Sequence, residues 1–408
     1  MISVRYALLA TIFFAAAFLA TAVPQPAAAG APLAATVSGT VSSGAVAAGP
    51  PQLGAQAAVL MDYETGQVLY GKNMHLRRAP ASTTKIMTAI LAIESSRLEE
   101  TVKISRRAAS TEGSTMHLYA GQLISLRDLV TGLMLRSGND AAVAIAEHLA
   151  GSVDSFVALM NAKAMLLGAR ETHFRNPHGL TKPDHYSTAY DLALIGRYAM
   201  GNPVFAAIVG SKETTIDWLT PSGREGERRL RNTNKLLWLL EDADGIKTGT
   251  TAEAGRCLVA SASRDGRRLI AVVLNDYARW QDSARLLEYG FNAFEVRRYA
   301  APGDPIGAVA VERGMTPSIA AVAAAPVVML IPKSDAGTDT CEIYLPEKIT
   351  APVFRGQKLG EIILFLKDQP IQAIDLVAAA DVEEKTPARA LLSQLIQLLR
   401  VMARWGMF

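Results

Sequence analysis

Apolar and polar positions alternate in two well-separated parts of the chain and predict β-strands there. Ala57–Asp62 and Gln67–Tyr70 lie on either side of a short turn, as expected for a β-hairpin. Cys257–Ser263 and Arg268–Asn275 flank an Asp-Gly pair, which is a strong hairpin signal. We expect these strands to share one antiparallel sheet covered by helices, which is an α/β (α+β) architecture.

The segment between the two hairpins has apolar residues at helical spacing. Ser125 to Asp128 resembles a capping box that opens a helix ending at Leu135. The other predicted helices are Ala141–Ala150, Ser155–Leu167, Thr188–Met200 with Ser187 as its cap, and a closing helix Leu286–Phe294. Most of the helices therefore come between the two groups of strands in sequence, as expected for helices that cover the shared sheet.

The character of the chain changes after about Tyr299. Ala301–Pro305 is rich in turn-forming residues and reads as a linker. The segment that follows alternates short apolar runs, such as Val327–Pro332 and Leu359–Leu366, with Gly and Pro. We therefore predict a larger domain over residues 53–298 and a small all-β domain over residues 299–384.

The N-terminus has the pattern of an export signal. Arg5 supplies the early positive charge, Tyr6 to Val23 is apolar, and small residues end at Ala29. We predict a signal peptide over residues 1–29, cleaved after Ala29, and a flexible linker over the uncharged residues 30–52. An uncleaved anchor is the alternative, since the apolar run is just long enough to span a bilayer.

The C-terminus, residues 385–408, has the pattern of an amphipathic helix. Thr386 and Pro387 are typical of a helix start, and the helix is predicted to run from Ala388 to Trp405. One polar stripe consists of Arg389, Ser393, Gln397, Arg400 and Arg404. The rest of the circumference is largely apolar, which favours a helix lying at a membrane surface. The alternative is a helix docked on its own protein or at a dimer contact.

Composition excludes some classes of protein. The chain has 408 residues, of which 50% are hydrophobic and 19% charged, so it is not disordered and can form two domains. A net charge of +3 without a long basic run argues against a nucleic-acid partner. Cys257 and Cys341 are far apart in sequence, and we expect two buried free thiols.

Ser82 and Lys85 form the strongest candidate for chemistry. They lie three residues apart where a helix begins, so they share a helix face. A lysine amine whose pKa is lowered by burial or nearby positive charge can take the proton of a serine hydroxyl. Alone, the motif more often marks a surface serine and lysine, so the assignment depends on what else the chain supplies.

Two later segments supply the other groups that such a serine needs. Ser137 and Asn139 lie between two predicted helices and can present a hydroxyl and an amide from a loop. Lys247 to Thr250 is predicted to be an edge strand beside a cleft. Lys247 would bring positive charge, Thr248 and Thr250 would offer hydroxyls to a carboxylate, and Gly249 would let a substrate backbone approach closely. Together, the three elements predict a serine acyl-transfer site.

The three motifs resemble the signature of penicillin-binding proteins and serine β-lactamases. The closest likeness is to low-molecular-weight D-alanyl-D-alanine carboxypeptidases. It extends to four further stretches, Thr172–Leu180, His185–Asp191, Asn232–Leu237 and Asp244–Thr251. The resemblance runs from about Ala57 to the C-terminus, and it implies a transpeptidase-like catalytic domain over residues 53–298.

The resemblance also implies roles for residues. It makes Ser82 the acylated nucleophile and Lys85 its base, and gives Ser137 and Asn139 roles in proton relay and in binding the substrate amide. Lys247, Thr248 and Gly249 match the third motif, and the backbone N–H groups of Ser82 and Thr250 form the oxyanion hole. Arg279 falls where the family places an arginine for the substrate's terminal carboxylate. No cofactor is implied.

One segment departs from the family pattern. Tyr119 and Gln122 stand where relatives usually carry a lysine and an acidic residue, which puts contacts at the rim of the site in question. His173, His178 and His185 lie close in sequence, but no carboxylate or cysteine completes a familiar zinc spacing, so no metal site is predicted.

The resulting hypothesis is a serine D-Ala-D-Ala carboxypeptidase of peptidoglycan that binds penicillin. It would be exported to the outer face of the bacterial cytoplasmic membrane or the periplasm and held at the membrane by its last helix. The alternatives are a D,D-endopeptidase, a β-lactamase of the same fold, and a catalytically silent peptidoglycan-binding protein. Gly138 disfavours a class A β-lactamase, which would have Ser-Asp-Asn in the second motif.

Overall fold

The computed structural model describes residues 49–388 and residue 396. The predicted signal peptide, the linker as far as residue 48, and the terminal helix from residue 389 onward apart from residue 396 lie outside the described residues.

The described elements form a larger unit followed by a smaller one. The strands of the larger unit are β1 (Ala57–Asp62), β2 (Val68–Lys72), β3 (Thr101–Lys103), β4 (Leu123–Ser125), β5 (Glu213–Leu219), β6 (Glu225–Arg231), β7 (Ala243–Thr251), β8 (Gly255–Arg264) and β9 (Arg267–Leu274). Its helices are α1 (Lys85–Glu94), α2 (Arg106–Ala109), α3 (Leu126–Leu135), α4 (Asn139–Ala150), α5 (Val153–Leu166), α6 (Ala189–Met200), α7 (Pro203–Gly210), α8 (Leu236–Leu239) and α9 (Arg279–Ala293). The smaller unit consists of β10 (Phe294–Ala300), β11 (Pro305–Glu312), β12 (Ser318–Ala323), β13 (Val327–Pro332), β14 (Asp339–Tyr344), β15 (Lys348–Thr350), β16 (Lys358–Leu366) and β17 (Gln369–Ala378).

A five-stranded antiparallel sheet is the centre of the larger unit. Its strand order is β2-β1-β9-β8-β7, so the strands predicted at the two ends of this unit do share one sheet. Successive residues of β1 face opposite sides. Val59 packs with the helices between β2 and β7, whereas Leu60 packs with α9. The predicted antiparallel sheet covered by helices is confirmed, and β7 forms its edge, as expected.

Helix α1 runs through the interior of the helical layer. All of its residues except Leu91 and Glu94 are buried, and it contacts α3, α4, α5 and α6. A helix covered on nearly all sides is apolar around its whole circumference. Lys85 begins this helix and is 0% exposed, so the fold places an ionisable amine in the core.

Four predicted helix starts differ from the structure. Helix α4 begins at Asn139 instead of Ala141, and α5 begins at Val153 instead of Ser155. Thr188, rather than Ser187, caps α6, because its side chain accepts a hydrogen bond from the N–H of Asp191. Helix α9 begins at Arg279 instead of Leu286. Its first two turns are largely polar, so the apolar periodicity that predicts a helix becomes visible only later in the segment. The cap of α3 by Ser125 is as predicted.

The smaller unit is all β, as predicted. A six-stranded sheet has the order β14-β16-β17-β12-β11-β15, and β10 pairs with β13. The predicted boundary between the two domains, at residues 298 and 299, falls inside strand β10, which starts at Phe294. The exact domain boundary stays a prediction. The side-chain amide of Gln67 bonds both the N–H and the C=O of Leu330, at 2.9 and 2.8 Å, and joins the first hairpin to β13.

Cys257 and Cys341 are free thiols, as predicted, although only Cys257 is buried and Cys341 is partly exposed. Over the described part of the chain, no single helix is long and apolar enough to cross a bilayer; two bent helix pairs meet that test by length and composition alone.

The packing of α9 on the sheet gives a test of the fold. Leu287 is 0% exposed in this interface, so Leu287→Ala should lower the free energy of unfolding by about 2–5 kcal/mol. Leu239→Ala is the matched control, because Leu239 is 65% exposed and its loss should cost no more than about 0.5 kcal/mol. Urea unfolding followed by circular dichroism measures both, and equal losses would contradict this packing.

Candidate active site

Ser82 lies in a tight turn directly before α1. The 3-10 turn Ala81–Thr84 is closed by Thr83, whose N–H and hydroxyl both donate to the carbonyl of Pro80, at 3.3 and 2.7 Å. Ala81 has φ 48°, a left-handed conformation that costs a non-glycine residue about 1–3 kcal/mol. Such a conformation persists only where its surroundings enforce it, so the position of Ser82 is set by the packing around the turn.

The amino group of Lys85 contacts three oxygen atoms. Its Nζ lies 3.1 Å from Ser82 Oγ, 2.7 Å from Asn139 Oδ1 and 2.6 Å from the carbonyl oxygen of His178. The amide and carbonyl oxygens can only accept hydrogen bonds. They therefore use two N–H groups of the amine and leave its third direction pointing at the Ser82 hydroxyl. A neutral Lys85 in this position can accept the hydroxyl proton.

The surroundings of Lys85 favour the neutral amine. Burial lowers its pKa well below the usual value, and repulsion from Lys247 lowers it further, while Asp140 acts in the opposite sense. Desolvation penalises the charged form of any buried amine, and a second cation nearby adds to the penalty. Burial and the nearby positive charge therefore both favour the neutral form of Lys85, which is the form that the predicted role as a base needs.

Asn139 is brought to Lys85 by the start of α4. It is the first residue of that helix and is 2% exposed, and its Nδ2 donates to the carbonyl of Glu112 at 2.6 Å. This bond fixes the amide so that Oδ1 faces Lys85. Ser137 lies two residues earlier, with φ 64° and 7% exposure. Among the described residues, no hydrogen bond joins Ser137 to Ser82 or Lys85.

Asp140 ties a neighbouring loop to the same helix. Its buried carboxylate accepts hydrogen bonds from the hydroxyl of Thr115 at 2.6 Å and from the backbone N–H groups of Met116 and Leu118 at 3.0 and 3.1 Å. The loop therefore follows α4 closely and forms one wall of the site. The sequence analysis assigned no role to Asp140; its position directly after Asn139 in the motif was the available signal.

Strand β7 brings the third motif against the Ser82 turn. A Cβ at Gly249 would lie 3.0 Å from Ser82 N and 3.1 Å from Pro80 O. The Ser82 turn therefore packs closely against Gly249. The sequence analysis had instead expected a substrate backbone to approach this glycine. Lys247 is 1% exposed, and burial, followed by repulsion from Arg279, lowers its pKa to about 7.

Arg279 joins the site from the first turn of α9. Its Nη1 donates to the carbonyl of Gly249 at 2.9 Å, to Thr250 Oγ1 at 3.0 Å and to the carbonyl of Cys257 at 3.3 Å. On the other side of the strand motif, Thr248 Oγ1 lies 3.3 Å from Thr233 Oγ1. The structure therefore brings the predicted residues of this segment together along one strand, with Arg279 at its end.

The loop at the end of Thr172–Leu180, to which the sequence analysis assigned no catalytic role, completes the surroundings of Lys85. His178 contributes its carbonyl oxygen, while burial lowers the pKa of its side chain to about 3. Gly179 follows with φ 91°, and a Cβ there would lie 1.9 Å from the carbonyl oxygen of Ala81. Only glycine fits between this loop and the Ser82 turn. A backbone carbonyl has no sequence signature, so the contact with Lys85 was not predictable.

His185 supports the Ser82 turn from behind. Its Nδ1 accepts from the N–H of Arg175 at 3.0 Å, so Nε2 carries the proton that it donates to Thr84 Oγ1, also at 3.0 Å. Burial lowers its pKa to about 4, which keeps the ring neutral. In residues 49–388, no group of three or more His, Cys, Asp or Glu side chains is arranged to hold a metal ion.

The residues that depart from the family pattern have different environments. Gln122 is 3% exposed, and its Oε1 accepts the N–H of Tyr119 at 3.1 Å, so it supports the loop. Tyr119 is 38% exposed and lies at the mouth of a cavity of about 70 Å³ that also contacts Arg228 and Trp218. The change at position 119 therefore alters the surface of the rim, whereas the change at position 122 lies beneath it.

The loop at Gly179 gives a test of the site's assembly. Gly179→Ala should lower the melting temperature, because the added Cβ collides with Ala81 O and adds strain at positive φ. Gly151→Ala isolates the strain, since Gly151 has φ 73° and nothing within 4 Å of its Cβ position. Thermal unfolding should show the larger loss for Gly179→Ala, by several degrees. Losses of the same size would mean that the collision is absent.

Comparisons with known proteins agree with this geometry. The family model of D-alanyl-D-alanine carboxypeptidases matches residues 44–278, and the model of the C-terminal domain of penicillin-binding protein 5 matches residues 294–384. The chain is 36% identical over 336 residues to the D-alanyl-D-alanine carboxypeptidase DacF of Bacillus subtilis, covering 80% of this chain and 85% of DacF. It is 36% identical over 352 residues to DacD of Escherichia coli, covering 82% and 88%.

Solved structures show the same relation. Penicillin-binding protein 5 from Haemophilus influenzae superposes with a TM-score of 0.73 at 33% identity, covering 83% of this chain and all of that one. The Streptomyces K15 DD-transpeptidase superposes with a TM-score of 0.57 at 36% identity over 59% of this chain. The predicted family, catalytic fold and all-β domain are thus confirmed, and the chain belongs to the D-alanyl-D-alanine carboxypeptidase family of serine peptidases.

Proposed function

We propose that this serine carboxypeptidase removes the terminal D-alanine from peptidoglycan stem peptides through an acyl-enzyme on Ser82. The observation that carries the proposal is the arrangement around Lys85 Nζ. Two acceptor oxygens hold the amine, and its remaining direction points at Ser82 Oγ, 3.1 Å away. A buried amine with a lowered pKa, next to a serine, is suited to general base catalysis.

Acylation would begin when Lys85 takes the hydroxyl proton and Ser82 Oγ attacks the carbonyl carbon of the penultimate D-alanine. The backbone N–H groups of Ser82 and Thr250 would stabilise the oxyanion. The close packing of Gly249 on the Ser82 turn, where an added Cβ would lie 3.0 Å from Ser82 N, supports this pairing. The C–N bond then breaks, and D-alanine leaves as an amine that takes a proton from Lys85, with Ser137 as the proposed relay.

Deacylation would use the same groups. Water gives a proton to Lys85 and attacks the ester carbonyl, the C–O bond to Ser82 breaks, and Ser82 Oγ takes the proton back. Asn139 Oδ1 holds the Lys85 amine, and we propose that its amide also orients the amide backbone of the stem peptide during these steps.

The terminal carboxylate of the substrate would bind along β7. Lys247 and Arg279 supply positive charge, and the hydroxyls of Thr248 and Thr250 supply hydrogen bonds. Repulsion from Arg279 contributes to the lowered pKa of Lys247, and a bound anion between them would relieve that repulsion. Binding of a carboxylate therefore reduces the repulsion between Lys247 and Arg279. This supports an exopeptidase that recognises the free C-terminus of its substrate.

β-Lactams would acylate the same serine. Opening of the lactam ring leaves the departing amine covalently attached to the acyl group, so it cannot diffuse away as D-alanine does. The ester then persists, and the enzyme is inhibited.

We place the enzyme outside the cytoplasm, at the surface of the cytoplasmic membrane. Its family acts on peptidoglycan, and residues 1–29 have the pattern of an export signal. Residues 387, 388 and 396 are helical, in line with an amphipathic helix over residues 385–408. Its apolar face and its arginines are suited to an anionic lipid surface.

Intact mass spectrometry with a labelled penicillin tests the acylation site. The wild type and a Ser222→Ala control, which alters an exposed serine, should each gain one adduct, and Ser82→Ala should gain none. A folded wild type without an adduct would favour the silent peptidoglycan-binding protein. Rapid release of hydrolysed drug would favour a β-lactamase, and loss of cross-linked muropeptides rather than of terminal D-alanine would favour an endopeptidase.

Sedimentation with lipid vesicles tests the membrane helix. The protein should bind vesicles rich in anionic lipid and bind neutral vesicles less, whereas a chain ending before Thr386 should stay in the supernatant with both. Penicillin binding by the truncated chain shows that its catalytic domain is folded. Equal sedimentation of the two chains would rule out membrane binding through the helix.

A further inference from the structure

Two carboxyl groups are buried side by side next to the first turn of α9. Asp276 is 1% exposed and lies in the turn that precedes the helix, and Asp282, in its first turn, is 2% exposed. A Cβ placed on Gly54 would lie 3.5 Å from Asp276 Oδ1 and 3.6 Å from Asp282 Oδ2, so the two carboxyl groups flank the same point of the chain. Two ionised carboxylates buried this close together repel each other, and one proton held between them removes the repulsion.

The remaining oxygens of the pair are largely occupied by other donors. Asp282 Oδ2 accepts the N–H of Gly54 at 2.7 Å, and Asp276 Oδ1 accepts the N–H of Ala278 at 2.9 Å. Asp276 Oδ2 is buried and, among the described residues, has no other hydrogen-bond partner. Asp276 Oδ2 can therefore share a carboxyl proton with Asp282.

Charged and titratable groups face the pair from three elements. They are Lys72 and Tyr70 on β2, Cys257 on β8, and Arg279 and Arg285 on α9. Lys72 Nζ donates to the carbonyl of Leu53 at 2.7 Å, and Arg285 Nη1 lies 3.3 Å from Asp282 Oδ1. None of these side chains donates a hydrogen bond to the carboxylate of Asp276.

The same turn carries Arg279. The N–H of Asp276 donates to the carbonyl of Arg256 at 2.8 Å. The carbonyl of Asp276 accepts a hydrogen bond from the N–H of Arg279 at 3.2 Å. The side chain of Arg279 then reaches Gly249 and Thr250 on β7. The carboxyl pair is thus connected to the proposed carboxylate site through one short turn.

We propose that Asp276 and Asp282 share one proton and thereby hold the turn that places Arg279 beside β7, which makes them positioning residues for the substrate's terminal carboxylate. The inference rests on the proposed function of Arg279. When the shared proton is lost, two negative charges face each other in a site of low dielectric constant and repel. The first turn of α9 then relaxes, and Arg279 with it.

The sign of the pH effect follows from the pair's environment. Burial, and then the neighbouring Asp282, raises the pKa of Asp276 to about 6, above the value of about 3.9 for an unfolded chain. The native state therefore binds the extra proton between about pH 4 and pH 6. The stabilisation is complete below this window and is lost as the pH rises through it. Substrate binding should weaken over the same window.

The test compares the wild type with Asp276→Asn, whose amide donates permanently to Asp282 and does not titrate. KM and kcat are measured from pH 4.5 to 7.5 with a peptide ending in D-Ala-D-Ala. Wild-type KM should rise about fivefold relative to that of the variant as the pH passes 6, with kcat changing in parallel in both. Asp128→Asn is the matched control, since burial also raises the pKa of Asp128, and Arg279 is not among the groups that affect it. Its KM profile should follow the wild type.

A second measurement does not depend on a variant folding. Carbon-13 NMR of aspartate carboxyls in the wild-type protein should show one group titrating near pH 6, and none there in Asp276→Asn. The proposal is overturned if all aspartates titrate below about pH 5, or if wild type and variant have the same KM profile. A wild type that neither hydrolyses the peptide nor is acylated on Ser82 would instead overturn the proposed function.

Discussion

The burial of the Lys85 amino group is the constraint on which the rest of the site depends. Removing an ammonium group from water costs several kcal/mol unless partners compensate or the group loses its proton. The described part of the chain provides Asn139 Oδ1 and the His178 carbonyl as acceptors but no carboxylate in direct contact. The amine is thereby held in place without being stabilised fully as a cation, and this is the state in which it can act on Ser82.

Three separate parts of the chain must meet for this to happen. Helix α1 carries Lys85 through the core, the start of α4 presents Asn139, and the loop at Gly179 lies against the Ser82 turn. Strand β7 closes the fourth side through Gly249. At Gly179 and Gly249 the contacts are short enough that an added methyl group would disturb them, so backbone packing fixes the position of the Ser82 turn.

The site also concentrates positive charge. Lys247 lowers the pKa of Lys85, and Arg279 lowers the pKa of Lys247. Asp140 only partly offsets the effect at Lys85. Such an arrangement lowers the stability of the empty enzyme and favours an anionic ligand, which is the usual relation between stability and function at active sites. The carboxyl pair behind Arg279 extends the same electrostatic system beyond the residues that would touch substrate.

The features that the sequence by itself determined are local ones. The hairpins, the Ser125 cap and the spacing of Ser82 and Lys85 follow from turn chemistry, capping and helical periodicity, all of which act within a few residues. The motifs also sufficed for the family and for the order of the domains. The start of α9 was missed because its first turns are polar.

Only the tertiary structure decided which groups surround the amine and which support the arginine. Lys85 meets Asn139 and His178 across 54 and 93 residues of sequence, and the second contact is to a backbone carbonyl, which every residue possesses. Gly249 serves the chain's own turn, and Asp276 finds Asp282 only because α9 begins between them. Contacts of this kind arise from the packing of elements that are distant in sequence, so short-range sequence patterns cannot predict them.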